Sequence, residues 1–361
     1  MIKKICFFTN KVSLSGGAER VICTLASNFS KMGIDTTIIT QNSTECGYPL
    51  HENVKIVATK TKCKIPGVRF LIRCFLLRKN LKKISPDVAV SFMVDNNLIL
   101  SLFALGLPCV RIGSDRIFPK IITGVRAKLC RLIYPLCDGF VFQTKEARDC
   151  FRGKVRERST VIANPLVGEI PDRGYPISND IVTVGRLSAQ KNQALLIKAF
   201  AKFNKIHLGY RLLVYGNGEK KAELSELINN LELSDSVMLM GNSNKVLLEI
   251  CCAKMFVLTS DYEGMPNALA EAMAIGIPSV STDCLGGGAA ALIKDNVNGK
   301  LVPVGDEDGV VKAMSELVEN EEMYDNISAN SVKLRETLAV DNISKMWLSY
   351  MDEVLKTKKS K

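Results

Sequence analysis

The 361-residue sequence contains few of the residues that bind transition metals or form covalent frameworks. It has only two histidines, His51 and His207, and neither has a ligand partner at metal-binding spacing, so no metal site is predicted. Its twelve cysteines form no Cys-x-x-Cys pair, and several lie within apolar runs. This usage is typical of small buried residues in a reducing compartment and argues against a disulfide framework.

Long apolar runs are also missing. The longest uncharged apolar run, from Leu98 to Val110, contains glycine and proline and is too short to span a bilayer. The N-terminal segment turns polar by Thr9, which predicts a β-strand and not a signal peptide. We therefore expect a cytoplasmic protein that is attached, at most, to the surface of the inner membrane.

Acidic residues are scarce in the first half of the chain. Residues 1–165 carry a net charge of +16 and residues 166–361 a net charge of −5, which indicates two halves with different partners. Nucleic acid, an anionic membrane surface and a polyphosphate acceptor would each suit the basic half. Aromatic residues do not alternate with the basic ones and no nucleic-acid-binding motif is present, so no nucleic acid is expected.

Strands and helices alternate along the chain, which predicts an α/β protein. At 361 residues it is long enough for two domains with separate cores. Residues 166–179 contain Gly, Pro and Ser without periodicity, which is typical of a linker. We place one domain before this segment and one after it.

The stretch from Met255 to Thr282 reads as strand, loop, helix, turn and strand. Pro266 is predicted at the first helical position, and Gly276 with Pro278 ends the helix. A helix therefore begins beyond the carboxyl end of a parallel strand, where its first N–H groups and its dipole form an anion site. Phosphate is the expected ligand.

Two carboxylates, Glu263 and Glu271, flank this predicted anion site. They are eight residues apart and cannot act as a tight pair, but each suits one hydroxyl-rich group on either side of a diphosphate. A nucleotide sugar has this arrangement. The alternative is an ordinary βαβ crossover with solvated acidic residues, and the spacing by itself does not separate the two interpretations.

Three other motifs follow predicted strands, where doubly wound domains bind ligands. They are Ser15-Gly16-Gly17-Ala18-Glu19-Arg20, Gly113-Ser114-Asp115-Arg116, and the segment from Gly185 to Asn192, which contains Arg186 and Lys191. Adjacent glycines allow close backbone approach by a ligand. Two cations five residues apart across a turn can reach one diphosphate, although an isolated basic pair is usually solvated.

Together, and in this order, the motifs resemble those of the retaining family 4 glycosyltransferases, and in particular the subgroup that makes bacterial exopolysaccharide and O-antigen. The resemblance implies the GT-B fold, in which two Rossmann-like doubly wound domains face each other across an interdomain cleft. Residues 1–165 would form the acceptor- and membrane-facing domain and residues 166–340 the nucleotide-sugar domain. A final helix at about 341–361 would cross back to the first domain.

The resemblance also implies roles for single residues. Arg186 and Lys191 would hold the leaving diphosphate, Glu263 the donor hexose and Glu271 the ribose, while Asp115 and Arg116 are further catalytic candidates. The implied donor-binding set is Gly16, Gly17, Gly241, Asn242, Gly264, Met265, Asn267, Ala268 and Glu271. The chain departs from the subgroup pattern at Ile117, where asparagine is frequent, and at the glycine run 286–288.

The predicted function is metal-independent, retaining transfer of a hexose or N-acetylhexosamine from a nucleotide sugar, with UDP the expected nucleotide, to a lipid-linked glycan. No cofactor is expected. One alternative is a GT-B sugar-nucleotide epimerase, but neither histidine lies in a motif that would supply its acid and base. Another is an inactive membrane-associated carbohydrate-binding protein, against which the intact Arg186, Lys191, Glu263 and Glu271 argue.

The segment from Lys62 to Ile84 predicts a basic amphipathic helix. At 100° per residue, four cations fall within about 120° of one another and four apolar residues lie on another side. The cations are Arg69, Arg73, Lys79 and Lys83, and the apolar residues are Phe70, Leu77, Leu81 and Ile84. Such a helix is either an outer helix whose cations extend into water or a surface for anionic lipid and lipid-linked pyrophosphate.

Overall fold

The computed structural model describes residues 2–13, 16–41 and 43–360, which form two compact units. The first unit comprises the chain up to Val167 together with the residues from Leu338 onward, and the second is Gly168–Thr337. Each unit is built on one parallel sheet. None of the helices in these described ranges is long and apolar enough to cross a bilayer.

The first unit contains a seven-stranded sheet in the order β3-β2-β1-β4-β5-β6-β7. The strands are β1 (Lys4–Thr9), β2 (Asp35–Thr40), β3 (Lys55–Ala58), β4 (Val88–Phe92), β5 (Val110–Ser114), β6 (Gly139–Phe142) and β7 (Ser159–Val161). The helices are α1 (Gly17–Lys31), α2 (Pro66–Ile84), α3 (Val94–Phe103), α4 (Gly124–Ile133), α5 (Lys145–Asp149) and α6 (Lys154–Glu157). Every residue of β4 is buried, as expected for a parallel strand that is covered on both faces.

The second unit contains a six-stranded sheet in the order β10-β9-β8-β11-β12-β13. Its strands are β8 (Asp180–Val184), β9 (Arg211–Tyr215), β10 (Val237–Gly241), β11 (Met255–Leu258), β12 (Ser279–Thr282) and β13 (Lys300–Val302). Its helices are α7 (Gln193–Ile206), α8 (Lys221–Asn230), α9 (Val246–Ile250), α10 (Asn267–Ile275), α11 (Glu307–Glu319), α12 (Glu321–Ser331) and α13 (Leu334–Thr337). The predicted doubly wound α/β class is confirmed in both units.

The strand order reverses between β1 and β4 in the first sheet and between β8 and β11 in the second. At such a switch point, right-handed crossovers send consecutive helices to opposite faces of the sheet, which leaves a crevice at the carboxyl ends of the strands. The motifs that contain Arg186 and Glu263 follow β8 and β11 respectively. They therefore flank the switch point of the second unit.

The last helix, α14 (Val340–Lys359), belongs to the first unit. The indole of Trp347 is fully buried and stacks on Phe92 at the end of β4, with ring centroids 5.8 Å apart. The hydroxyl of Tyr350 accepts a hydrogen bond of 2.8 Å from the Phe140 N–H and donates one to the Arg158 carbonyl. The helix thus supplies core contacts that the sheet needs at β4 and β6.

Most of the segment that was predicted to be a linker packs on the second unit. The guanidinium of Arg173 donates to the carbonyls of Cys251 and Ala253, at 2.8 and 2.6 Å. The N–H of Ser178 donates to the Cys252 carbonyl at 2.8 Å. Lack of periodicity correctly indicated irregular backbone, but these hydrogen bonds make the segment part of a folded unit.

The basic helix α2 differs in two respects from its prediction. It begins at Pro66, and its buried residues are Cys74, Leu77 and Leu81. Phe70, which periodicity groups with Leu77 and Leu81, is exposed, because the described contacts bury α2 only from Cys74 onward. Among the predicted cations, Lys79 and Lys83 are exposed, whereas Arg69 and Arg73 are half-buried.

Candidate active site

The centre of the site in the second unit is an ion pair between two loops. Lys191 ends the short 3-10 turn Ala189–Lys191 that follows β8, and Glu263 lies in the loop between β11 and α10. The Lys191 Nζ contacts the Glu263 Oε1, and both side chains are mostly buried. The structure therefore brings together two residues that are far apart in the sequence and that were predicted to bind the same donor.

The Glu263 carboxylate has two further hydrogen-bond donors. The Ser260 hydroxyl donates to Oε1 at 2.8 Å, and the Gln190 side-chain amide donates to Oε2 at 3.4 Å. A carboxylate oxygen accepts hydrogen bonds, and these donors together with the lysine fix the orientation of the Glu263 side chain. Glu263 is consequently held in a position from which it could accept a hydrogen bond from a ligand hydroxyl.

Neither Gln190 nor Ser260 was identified from the sequence. The signal was weak, because Gln190 stands next to Lys191 and Ser260 stands three residues before Glu263. Their shared role became visible only when the structure placed the two loops side by side. The Gln190 amide also donates to the Tyr262 carbonyl at 2.8 Å, which ties the loop of Lys191 to the loop of Glu263.

Backbone packing holds the chain on both sides of Arg186. Gly216 has φ of +134°, and a Cβ there would lie 1.9 Å from the Gly185 carbonyl oxygen. A Cβ on Gly218 would lie 2.1 Å from the Leu187 carbonyl oxygen. Because only glycine allows this approach, the backbone at Arg186 is fixed while its side chain is exposed.

Helix α10 presents its N-terminus beside the ion pair. It begins at Asn267, and Pro266 is the N-cap, so the prediction of Pro266 as the first helical residue is wrong by one position. The ψ of +100° at Pro266 explains the difference, because it lies outside the helical range. Asn267 and Ala268 are therefore the first two residues of the helix, where N–H groups have no intrahelical acceptor.

The other residues of the second unit that were predicted to bind the donor lie in the loop before α10, in α10 itself, and at or just after the end of β10. Gly264 and Met265 belong to the loop before α10, and Glu271 lies within that helix, where it is 6% exposed. Gly241 ends β10, and its carbonyl accepts from the Gly216 N–H at 2.7 Å, while Asn242 is exposed. The loops after β8, β9, β10 and β11 thus lie along one edge of the sheet.

The glycine run 286–288 has a packing role next to Glu263. The Glu263 N–H donates to the Leu285 carbonyl at 2.9 Å, and the Leu285 N–H donates to the Asp261 carbonyl at 3.0 Å. A Cβ on Gly288 would lie 2.3 Å from the Gly264 carbonyl oxygen. The departure from the subgroup pattern therefore accompanies a close backbone contact with the loop of Glu263.

In the first unit, Asp115 follows β5 and is 2% exposed. Its Oδ1 accepts hydrogen bonds from the Asn97 side-chain amide at 2.7 Å and from the Tyr134 hydroxyl at 3.0 Å. Burial raises the pKa of Asp115 to about 6, even though these two donors favour the charged form. The two donors are neutral, and the neighbouring Arg116 adds an electrostatic attraction that also lowers the pKa of Asp115.

The neighbouring Arg116 lies against aromatic rings. Its guanidinium carbon is 4.1 Å from the ring centroid of Phe92 and 5.6 Å from that of Trp347, and Nη1 donates to Asn164 Oδ1 at 2.7 Å. Burial lowers the pKa of Arg116 to about 9, so it remains charged at neutral pH. The aromatic partners were not identified from the sequence, since Trp347 lies on α14.

Gly16 and Gly17 also belong to the first unit. Gly16 precedes α1 in extended conformation, and its carbonyl accepts from the Tyr48 hydroxyl at 3.0 Å. Ser15 of the predicted motif lies outside the described residues. Across the described ranges, no group of three or more His, Cys, Asp or Glu side chains is arranged to hold a metal ion.

Comparison with known proteins agrees with this arrangement of loops and strands. Residues 15–166 match the profile described as Glycosyltransferase Family 4, and residues 175–334 match the profile described as Glycosyl transferases group 1. A Campylobacter jejuni protein is 30% identical over 355 residues, which cover 94% of this chain and 96% of that protein. The chain belongs to the family 4 glycosyltransferases.

The Campylobacter jejuni relative of this glycosyltransferase is named GalNAc-alpha-(1->4)-GalNAc-alpha-(1->3)-diNAcBac-PP-undecaprenol alpha-1,4-N-acetyl-D-galactosaminyltransferase. A second protein from the same organism is 34% identical over 331 residues, which cover 86% of this chain and 88% of that protein. It is named N-acetylgalactosamine-N,N'-diacetylbacillosaminyl-diphospho-undecaprenol 4-alpha-N-acetylgalactosaminyltransferase.

Among solved structures, Anabaena HepE in complex with UDP superposes on the glycosyltransferase with a TM-score of 0.80 at 15% identity. The match covers 97% of this chain and 100% of HepE. At this identity the similarity concerns the fold. The two parallel-sheet units are those of a GT-B glycosyltransferase, as the resemblance of the motifs implied.

Proposed function

We propose that the enzyme transfers an N-acetylhexosamine or hexose from a nucleotide sugar, with UDP the expected nucleotide, to a lipid-linked glycan. The product would serve the synthesis of a bacterial surface polysaccharide such as O-antigen or exopolysaccharide. The names of both Campylobacter jejuni relatives support an N-acetylhexosamine donor and a diphospho-undecaprenol acceptor. HepE, which has the same fold, binds UDP.

The contact between Lys191 and Glu263 at the start of α10 carries the proposal. A donor that lies across this pair would place its diphosphate near Lys191, Arg186 and the N–H groups of Asn267 and Ala268. Negative charge grows on the diphosphate as the glycosidic bond breaks, and preorganised cations and N–H groups stabilise it. The leaving group would need no metal ion for this reason.

The carboxylates would position the donor. Glu263 would accept hydrogen bonds from the sugar, with Gly264 and Met265 beside it, and Glu271 would accept them from the ribose. Gly241 and Asn242 would lie near the nucleotide base. In the reaction, the bond from the anomeric carbon to the diphosphate breaks and a bond to the acceptor oxygen forms on the same face, so the anomeric configuration is retained. The diphosphate takes the proton of the acceptor hydroxyl.

The first unit would bind the acceptor. Gly16 and Gly17, at the start of α1, would approach the acceptor and the diphosphate. Asp115 and Arg116 remain catalytic candidates on this side. The Arg116 guanidinium, which lies over the ring of Phe92, would meet an anionic group of the acceptor.

We also propose that the first unit attaches the enzyme to the cytoplasmic surface of the inner membrane. The cations Arg69, Arg73, Lys79 and Lys83 of α2 would meet anionic lipid headgroups. Each basic residue near such a surface contributes about 1 kcal/mol. The exposure of Lys79 and Lys83 supports this more strongly than that of the half-buried arginines.

The deciding experiment is a mass-spectrometric screen of UDP-sugars against undecaprenyl-diphosphate glycans, followed by NMR assignment of the new anomeric centre. We expect one sugar to be added with retained configuration. Lys191→Ala should lose product, while Lys202→Ala, which alters a surface lysine paired with Glu307 and Asp308, should not. Interconversion of the UDP-sugar without acceptor would indicate an epimerase, and donor binding without turnover would indicate an inactive binding protein.

A further inference from the structure

Asp261 lies two residues before Glu263, and each of its polar groups contacts another loop. Its Oδ1 accepts a hydrogen bond of 3.0 Å from the side-chain amide of Asn192, in the loop after β8. Its N–H donates to the Gln190 carbonyl at 2.9 Å, and its own carbonyl accepts from the Leu285 N–H at 3.0 Å. Asp261 therefore joins the loop after β11 to the loops after β8 and β12.

Asn192 uses both ends of its side-chain amide. While Nδ2 donates to Asp261, Oδ1 accepts from the Leu195 N–H at 3.3 Å and so caps the N-terminus of α7. The backbone of Asn192 is left-handed, with φ of +45°, a conformation that Asn and Asp adopt more readily than most other non-glycine residues. Two partners thus orient the amide, and it cannot turn away from Asp261 without losing the cap.

Lys191 lies between Gln190 and Asn192 in the sequence, so the hydrogen bonds of these two residues fix its backbone on both sides. The hydroxyl of Thr259 adds another bond, because it donates to the Asn192 carbonyl at 2.9 Å. The Lys191 ammonium contacts the carboxylate of Glu263 from this fixed backbone. A shift of the loop after β8 would therefore move the ammonium relative to the carboxylate.

The side chains of Asn192 and Asp261 are placed to affect the site more than the core. Both are half-buried and lie beyond the carboxyl ends of β8 and β11, whereas apolar residues such as Leu196 and Val257 form the core of the second unit. A hydrogen bond between half-buried groups adds modestly to folding stability. Displacement of a catalytic group by about 1 Å, in contrast, can lower a rate about 10²-fold. The contact therefore matters more for a reaction than for folding.

We propose that Asn192 and Asp261 are positioning residues for sugar transfer, which hold the Lys191 ammonium at the Glu263 carboxylate and at the diphosphate of the donor. The inference rests on the proposed function and adds two residues that act through Lys191 and do not contact the donor. Their effect should appear in kcat at saturating donor, because the negative charge that Lys191 stabilises grows in the transition state. Donor affinity should change less than kcat.

The central test is the variant Asn192→Asp, which keeps the helix cap and the left-handed backbone but turns a carboxylate oxygen towards Asp261. The like charges repel and separate the loops, so kcat should fall about 10- to 100-fold. Asp261→Asn keeps an acceptor for Asn192 without the charge, and its kcat should fall by less than about 5-fold. The double variant Asn192→Asp/Asp261→Asn restores one donor opposite one acceptor, and its kcat should return to within about 3-fold of wild type.

Asn320→Asp is the matched control, because Asn320 also caps a helix of the second unit, α12, by accepting from the Met323 N–H at 2.9 Å. This control should have the kcat of wild type. The melting temperature is recorded for every variant, and calorimetric titration with UDP measures binding apart from turnover. If Asn192→Asp lowers only the melting temperature, its role is structural. If it lowers only the affinity for UDP, it belongs to the donor site. Either result would overturn the positioning role.

Crystal structures of two variants separate this inference from the proposed function. The contact between Lys191 and Glu263 should be broken in Asn192→Asp and restored in Asn192→Asp/Asp261→Asn. An intact contact in Asn192→Asp would overturn the inference even if wild type transfers sugar. If wild type transfers sugar from no UDP-sugar, the proposed function fails, and the two crystal structures still decide whether Asn192 and Asp261 hold Lys191 in place.

Discussion

Two buried carboxylates, Glu263 and Asp115, follow parallel strands in different units and are held in opposite ways. Glu263 contacts the Lys191 ammonium and two further donors. Asp115 accepts only from the neutral Asn97 and Tyr134 among its described hydrogen bonds, and burial raises its pKa to about 6. A buried charge needs compensation. The second unit supplies it with a cation in direct contact, which a donor diphosphate could also use, whereas the first unit supplies two neutral hydrogen-bond donors and the electrostatic attraction of the neighbouring Arg116.

The largest effect on kcat is expected when either of the two site cations of the second unit, Lys191 or Arg186, is removed. Lys191→Ala and Arg186→Ala should each lower kcat by about 10²- to 10³-fold, by analogy with the loss of one preorganised donor at a developing anion. Lys191→Arg should restore only part of the rate, because a planar fork and a point charge meet a phosphate differently. Steady-state kinetics at saturating acceptor provide the measurement.

Two controls separate catalysis from folding in these variants. Lys191→Ala leaves Glu263 buried without its cation, so the melting temperature must be recorded, and the double variant Lys191→Met/Glu263→Gln removes both charges together. Lys202→Ala is the surface control. Near-normal kcat in folded Lys191→Ala and Arg186→Ala would contradict the assigned stabilisation of the leaving group.

Replacing the buried carboxyl group of Asp115 in the first unit should change how the free energy of unfolding depends on pH. A rise in the pKa of Asp115 from 3.8 to about 6 corresponds to roughly 3 kcal/mol. The folded state holds this proton more tightly than the unfolded state, so the contribution favours folding below about pH 4 and is lost as the pH rises through 6. Asp115→Asn should abolish this loss, because the amide stays neutral while its oxygen can still accept from Asn97 and Tyr134.

Denaturant unfolding of wild type and Asp115→Asn at pH 4, 6 and 8 measures this effect. The difference in free energy of unfolding should shift in favour of the variant as the pH increases. A difference that stays constant between pH 4 and pH 8 would show that Asp115 is not the titrating group.

A smaller effect is expected at Glu271, within α10. If Glu271 holds the ribose equally in the ground and transition states, Glu271→Ala should weaken donor binding by about 1 to 3 kcal/mol and change kcat little. Calorimetric titration with the donor or with UDP measures the effect on binding, and kcat of the same variant measures the effect on the chemical step. Complete loss of kcat with unchanged donor affinity would assign this carboxylate a direct chemical role.

The smallest effect is expected on removal of metal ions. We expect Arg186, Lys191 and the N-terminus of α10 to balance the negative charge of the diphosphate without a metal ion. EDTA should then leave the transfer rate unchanged. The rate is measured before and after chelation and after addition of Mg²⁺ or Mn²⁺. Loss of activity that either ion restores would show that a metal contributes charge to the site.

Local sequence predicted the strands, the helix of the Glu263 motif and its end at Gly276, because apolar runs, helix formers and a left-handed glycine act within a few residues. It also indicated that Lys191 and Glu263 belong to one site, through the resemblance to a family. It did not predict Gln190 and Ser260 as partners of Glu263, nor Asn97 and Tyr134 as partners of Asp115. The contacts of Gln190, Asn97 and Tyr134 join distant segments, and the contact of Ser260 with Glu263 depends on the conformation of their loop, so no local pattern encodes them.

The sequence also did not show which apolar side of a helix faces solvent. Periodicity grouped Phe70 with Leu77 and Leu81, yet Phe70 is exposed because packing on α2 starts at Cys74. A stripe of Val125, Leu129 and Leu132 on α4 has the spacing of a core face but is exposed. The spacing of apolar residues in the sequence indicates that a helix has an apolar side. Tertiary packing determines whether that side is buried.

The return of α14 to the first unit has a consequence for biosynthesis. A ribosome makes the residues up to Val167 of this unit first, and it must then add the residues from Gly168 to Thr337 before it makes the helix that covers Phe92 and bonds to Phe140. At about 5 to 20 residues per second, that interval is roughly 10 to 35 seconds. We therefore expect the first unit to complete its folding after the second, although its first strands are made earlier. The incomplete first unit should be the part of the chain that needs chaperones during translation. A premature stop after Thr337 should prevent the first unit from folding but leave the second unit intact.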